Sequence, residues 1–227
     1  GIPVVGEIEL FAQALRDLKQ HVPVLAITGT NGKTTTTALT GHLLAATGRT
    51  VGVAGNISPA ALTALMDFQD VANGGNLPQA WVLELSSFQL ETTATLDATA
   101  AAVLNLSDDH LDRYIDLADY ASAKARIFAG DGVQVLNRQD PGVRGMALAG
   151  RKLITFGLDA PADAADFGLR ENRGEPWIVQ GDRFLLPVGE LPIAGLHNAA
   201  NAMAALALCA AIGIDSVGLL PALRAFH

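Results

Sequence analysis

At 227 residues, with 50% hydrophobic and 17% charged residues, the chain is long and apolar enough to bury a substantial core, as one large α/β domain or two small ones. A formal net charge of −8 argues against a general nucleic-acid or anionic-membrane surface, although a local cationic loop for one phosphate chain is compatible with it. The single cysteine, Cys209, excludes a disulfide or multi-cysteine metal site within the chain and reads as a small buried hydrophobe. No uncharged apolar run approaches a membrane span and no basic segment precedes an apolar one, so a cytoplasmic protein without membrane or nucleic-acid partners is expected.

Ile8, Phe11, Leu15 and Leu18 recur at helical spacing and predict a helix leading to the first core strand. That strand is Val24 to Ile27, apolar without alternation, as expected of a parallel strand covered on both faces. The sequence GTNGKTT follows. Gly29 and Gly32 permit turns that let successive amides converge on an anion. Lys33 supplies a mobile charge for β/γ-phosphates, and Thr34 stands where a hydroxyl ligates Mg²⁺ at the start of a helix whose dipole favours anions. The loop reads as an ATP or GTP site, though Ile27 occupies the position where the common phosphate-loop pattern has a glycine.

A helix over 34–46 stopped by Gly48 and a strand over 50–54 complete a first βαβ unit. Asn56 follows that strand at the sheet edge where ligands collect, while Ser58 reads as an N-cap before Pro59. A polar loop over 70–79 leads to a strand from Trp81 to Leu85 that is interrupted by Glu84. A carboxylate there needs a cation or donors to offset its desolvation, either Mg²⁺ beside Thr34 or a structural salt bridge.

The strand over 101–106 runs into SDDHLDRY, where His110 is the best ligand candidate and Asp108, Asp109 and Asp112 read mainly as solvated loop acids. Lys124 shares a side of the helix over 119–129 with Tyr120 and Ile127, which either turns its amine inward or lays its stem over apolar surface. Segments at 133–136, 152–156, 177–179 and 184–186, separated by Gly, Pro and Asp turns, predict a small antiparallel sheet added to a mostly parallel, helix-flanked phosphate-loop sheet. A buried helix from about Asn198 has His197, Asn198 and Asn201 at its polar start, suited to capping or to a nucleobase edge. Residues 219–226 form the last expected helix.

With GTNGKTT, ELSSFQLE, DDHLDRY and HNAANA in this order, the whole chain resembles the Mur ligases, ATP-dependent amide ligases of peptidoglycan precursor synthesis. ELSSFQL and DHLDRY are most similar to the family's D-glutamate-adding branch. In that family the shorter TGTNGK[ST] loop is the rule, so Ile27 is no defect. The resemblance implies that residues 1–227 are the central ATP-binding domain of a three-domain enzyme, without the domain that holds the uridine nucleotide and the one that contributes the amino-acid site. It implies partners ATP, UDP-N-acetylmuramoyl-L-alanine and D-glutamate, joined through an acyl phosphate. It further implies nucleotide contacts along Gly29, Thr30, Asn31, Gly32, Lys33, Thr34 and Thr35 and at His197, Asn198 and Asn201. Thr34 and Glu84 would hold one Mg²⁺. His110 and an N-carboxylated Lys124 would hold a second, while Asn56 and Ser86 would contact substrate. Folylpolyglutamate synthase, which shares the loop, and a nucleotide-binding module without turnover are the alternatives, and ELSSFQLE argues against the first.

Overall fold

The computed structural model describes residues 5–70, 75–107 and 113–227. In chain order the elements are α1 (Glu7–Asp17), β1 (Val24–Thr28), α2 (Lys33–Ala45), β2 (Val51–Gly55), α3 (Ala61–Gln69), β3 (Ala80–Glu84), α4 (Ser87–Glu91) and β4 (Ala100–Val103). They continue with α5 (Leu117–Ala125), β5 (Val133–Asn137), α6 (Pro141–Arg144), β6 (Leu153–Phe156), β7 (Phe167–Asn172), β8 (Glu175–Gln180), β9 (Arg183–Pro187), α7 (Leu196–Ala211) and α8 (Ser216–Arg224). The nine strands form one sheet in the order β2-β3-β1-β4-β5-β6-β7-β8-β9. Pairing is parallel from β2 through β7 and antiparallel across β7–β8–β9.

The expected α/β class and antiparallel strands are therefore present, with two details that differ from expectation. The segments at 133–136 and 152–156 are parallel strands of the main sheet, and the antiparallel ribbon continues that sheet through β7 rather than packing on it. An antiparallel pair needs only a tight turn, which Arg173 and Gly174 supply between β7 and β8 with positive φ; each parallel step needs a crossover.

Alternating side chains of the central strands feed two cores, which explains their unbroken apolar sequences. Leu25, Ile27, Val82, Ala102 and Val135 point to the face covered by α2, α7 and α8. Val24, Ala26, Trp81, Leu83 and Val103 point to the face covered by α1, α3 and α4. Trp81 is held edge-on by Phe11 and Phe68, at centroid distances of 5.0 and 5.6 Å, and its indole N–H donates to Gln20 at 3.2 Å. Truncating such a side chain to alanine costs about 3–5 kcal/mol.

Local caps fix the helices next to the strand ends. Ser86 and Gln89 form a reciprocal capping box on α4, and Asp116 accepts from the Asp119 amide to start α5. Ser58 does not cap α3: the helix starts at Ala61 after Ala60, and Glu7 of α1 accepts from the Leu62 amide instead. Similarly, α7 begins at Leu196 after Gly195, ahead of the expected start at Asn198, whose side chain turns back to the Ala194 carbonyl. Among the described residues, no helix is long and apolar enough to cross a membrane.

Candidate nucleotide and metal site

β1 and α2 enclose the loop over 29–32 at the C-terminal edge of the parallel sheet, where diverging connections leave room for a ligand. Gly32 precedes α2 at φ +81°, and a Cβ there would approach the Asn201 side-chain oxygen to 2.5 Å. The loop thus abuts the first turns of α7 at a point that only glycine fits. Lys33 Nζ folds over the loop and donates to the carbonyls of Gly29 and Thr30, at 3.0 and 2.9 Å. The amides of Thr30 and Asn31 are held by the main-chain and side-chain oxygens of Asn105, at 3.0 and 2.8 Å. The first turn of α2 offers its own N–H groups and the positive end of its dipole to an anion.

Glu84, at the end of β3, is only 2% exposed. Its two oxygens accept from the Thr34 hydroxyl at 2.9 Å and the Asn56 side-chain amide at 3.0 Å. Strand register accounts for the meeting, since Glu84 lies level with Ile27 on one side and Gly55 on the other. Both donors are neutral, so this pairing is not a salt bridge. One carboxylate and one hydroxyl oxygen at the phosphate loop suit a hard cation such as Mg²⁺.

Lys124 does not lay its stem over the surface; it is 1% exposed and its amine turns inward. Its Nζ donates to the Gly29 carbonyl at 2.9 Å, lies 3.5 Å from Thr28 Oγ1, and stands 4.4 Å from the centroid of the Tyr120 ring. Lys33 and Lys124 consequently share one acceptor. Tyr120 packs at 5.1 Å on Tyr114, whose hydroxyl donates to Glu91 at 2.5 Å, and Arg113 pairs with the same carboxylate at 2.6 Å. The Arg113 and Tyr114 hydrogen bonds hold the Glu91 carboxyl below its usual range, against the opposing effect of burial. Burial, and then the Glu91 contact, push the Tyr114 phenol up.

Asn201 donates to the Asn198 side chain at 3.2 Å and borders Gly32, whereas His197 is exposed beside Gly195. Ser86 is committed to the α4 cap, its hydroxyl accepting from the Gln89 amide at 3.2 Å. Lys33, Thr34, Glu84, Asn56, Lys124 and Asn201 therefore converge on one sheet edge. His110, with Asp108, Asp109 and Asp112, lies outside the described residues. Sequence reasoning missed Asn105 and Thr28. Asn105 carried one signal, a side-chain amide directly after the apolar run that ends β4.

Residues 27–209 match the family described as the Mur ligase middle domain. The chain is 58% identical over its full length to UDP-N-acetylmuramoylalanine–D-glutamate ligase of Nitrosospira multiformis, covering 48% of that protein. It is 57% identical to the ligase of the same name from Aromatoleum aromaticum, of which it covers 49%. The chain thus spans about half the length of these relatives. A solved UDP-N-acetylmuramoyl-L-alanyl-D-glutamate–2,6-diaminopimelate ligase superposes with a TM-score of 0.76 at 27% identity, over 96% of this chain and 50% of the other. E. coli FolC, solved in complex with DHPP and ADP, superposes with a TM-score of 0.67 at 21% identity, over 100% of this chain and 63% of the other, a likeness of fold alone. The glycine-lysine loop, the buried carboxylate beside it and the match over 27–209 agree: this chain belongs to the Mur ligase middle-domain family.

Proposed function

We propose that this chain is the central, ATP-binding domain of a cytoplasmic ligase that adds D-glutamate to UDP-N-acetylmuramoyl-L-alanine. The observation that carries the reading is Glu84, a buried carboxylate bonded to the hydroxyl that follows the phosphate-loop lysine. Identity of 58% to a ligase of that name, over all of this chain and 48% of that protein, supports the substrate assignment. On this reading the other half of the parent's length supplies the uridine-nucleotide and amino-acid sites.

Lys33 leaves the carbonyls of Gly29 and Thr30 to meet the γ-phosphate, and the α2 amides hold the phosphate oxygens. Thr34 and Glu84 would hold one Mg²⁺, and His110 with N-carboxylated Lys124 would hold another; bound there, such ions would offset the charge repulsion between ATP and the carboxylate it phosphorylates. Asn56 orients Glu84 and would meet the acceptor, as would Ser86 on giving up its α4 cap, while His197, Asn198 and Asn201 would meet adenine once Asn198 leaves the Ala194 carbonyl. For Lys124 to join, its neutral amine adds to the carbon of CO₂, forming an N–C bond and releasing one proton. The resulting carbamate is an anionic oxygen ligand, in place of an ammonium that would repel the cation.

Titration of the chain with MgATP tests the nucleotide site: Lys33→Ala should weaken binding by about tenfold or more, the loss of a charge-assisted contact. Unchanged affinity would move the phosphate site elsewhere. The isolated chain should form no amide product, because positioning acyl phosphate against amine can be worth about 7–11 kcal/mol and depends on the rest of the parent. In a parent-length protein, phosphate release that depends on UDP-N-acetylmuramoyl-L-alanine and D-glutamate supports the assignment. Release with a pteridine acceptor instead would favour the folylpolyglutamate reading.

A further inference from the structure

Asn105 follows β4 and faces the crest of the phosphate loop. Its side-chain oxygen accepts from the Asn31 N–H at 2.8 Å, and its side-chain nitrogen donates to the Asn31 carbonyl at 3.0 Å. Only one orientation of the amide serves both groups, since the reverse sets donor against donor and acceptor against acceptor. The Asn105 main-chain carbonyl also accepts from the Thr30 amide at 3.0 Å. Two residues further on, the Ser107 amide donates to the Thr30 hydroxyl at 3.1 Å, and the Ser107 carbonyl accepts from it at 3.4 Å.

We infer that Asn105 is a positioning residue for nucleotide binding, one that holds the Asn31 peptide so that the amides from Gly32 onward face the phosphates. The inference rests on the nucleotide reading above. Both main-chain polar groups of Asn31 are engaged by this one side chain, so the peptide plane on each side of Asn31, the one from Thr30 and the one entering Gly32, is braced by one hydrogen bond. Lys33 also braces the loop, but its bonds to Gly29 and Thr30 must be given up when it turns to a phosphate. The Asn105 brace makes no such exchange. It therefore remains as the fixed reference while the lysine moves, and spares the ligand the cost of ordering the loop. An aspartate at this position accepts from the Asn31 amide but sets a carboxylate against the Asn31 carbonyl and beside the incoming phosphates.

The test compares native chain, Asn105→Ala and Asn105→Asp by amide hydrogen exchange without nucleotide and by titration with MgATP. In Asn105→Ala, exchange at Asn31 should quicken about tenfold relative to Leu39 inside α2, and MgATP should bind about tenfold more weakly, as the loss of one to two hydrogen bonds implies. Asn105→Asp should bind more weakly still. A role confined to stability would quicken Leu39 as much as Asn31. That result, unchanged Asn31 exchange, or quickened exchange with native affinity overturns the inference while leaving the nucleotide reading intact. A native chain that binds no MgATP overturns both. If Asn105→Ala does not fold, Asn105→Asp, which differs from the native side chain by one atom, decides alone: native affinity in it counts against the inference.

Discussion

The Thr34 hydroxyl donates to the Glu84 carboxylate across 2.9 Å, tying the first turn of the phosphate-loop helix to the end of the neighbouring strand. Without a cation, that side chain is a buried carboxyl group held by two neutral donors, which is poor for stability and well suited to metal binding. Glu84→Gln should therefore leave the melting temperature of the metal-free chain unchanged or raised. The same change should reduce the Mg²⁺-dependent part of ATP affinity by about tenfold or more, within the range seen when metal-site groups are altered. Calorimetric titration with and without Mg²⁺ measures this, and a native Mg²⁺ dependence in the variant would put the cation on other ligands.

Glu9 makes a separate prediction, about acid stability. Burial opposes its ionisation, but hydrogen bonds from the Thr95 hydroxyl, the Ala94 amide, Gln13 and the Thr95 amide outweigh burial and hold the carboxyl at about 2. The folded value lies below the ordinary 4.5, so the ionised form stabilises the fold. That contribution is complete above about pH 4.5 and is lost as the pH falls towards 2, with an upper bound of about 3 kcal/mol. Denaturant unfolding of Glu9→Gln should show lower stability at pH 7 and a shallower decline between pH 4.5 and 2 than the native chain. Parallel curves for the two proteins would remove Glu9 from the acid limb.

Cys209 is fully buried in α7, and burial pushes its thiol up to about 12. Neither access nor thiolate is available at neutral pH. Labelling by a thiol reagent in the native chain should be at least about a hundredfold slower than in denaturant, limited by opening of the helix. Rapid native labelling would mean that α7 opens independently of the core.

The parts of the site that lie within a few residues of one another were legible in the sequence. Gly29, Gly32, Lys33 and Thr34 announce a phosphate loop by spacing alone, and Glu84 stands out as a charge inside an apolar strand. Contacts set by sheet order were not legible. Asn31 meets Asn105 across 74 residues because β4 pairs with β1, and Lys124 of α5 meets Thr28 across 96. β7 carries no strand signature in the sequence, because FGLREN has three polar residues at its end and only Phe167 and Gly168 are buried. The direction of β5 and β6 has no local signature either, since it follows from the crossovers that join them. Ser58 and Asn198 misled for the opposite reason: each has a capping residue's chemistry, but Glu7 and Gly195 define those helix starts.

The contact between Gly32 and Asn201 predicts a coupling between the phosphate loop and α7. Gly32 sits at φ +81°, where an alanine costs about 1–2 kcal/mol from its own backbone. Its Cβ would also come within 2.5 Å of the Asn201 side-chain oxygen, too close for either to stay in place. Asn201→Ala removes that obstacle and forfeits the 3.2 Å bond to Asn198, worth about 1 kcal/mol, while leaving the backbone strain untouched. In a double-mutant cycle read by denaturant unfolding, Gly32→Ala should therefore cost about 1 kcal/mol less in the Asn201→Ala background than in the native one. Nucleotide affinity should fall in Gly32→Ala whichever residue occupies position 201, because the left-handed turn that aims the α2 amides is disturbed in both. Equal stability costs in the two backgrounds would mean that Asn201 swings aside freely and that α7 does not brace the loop.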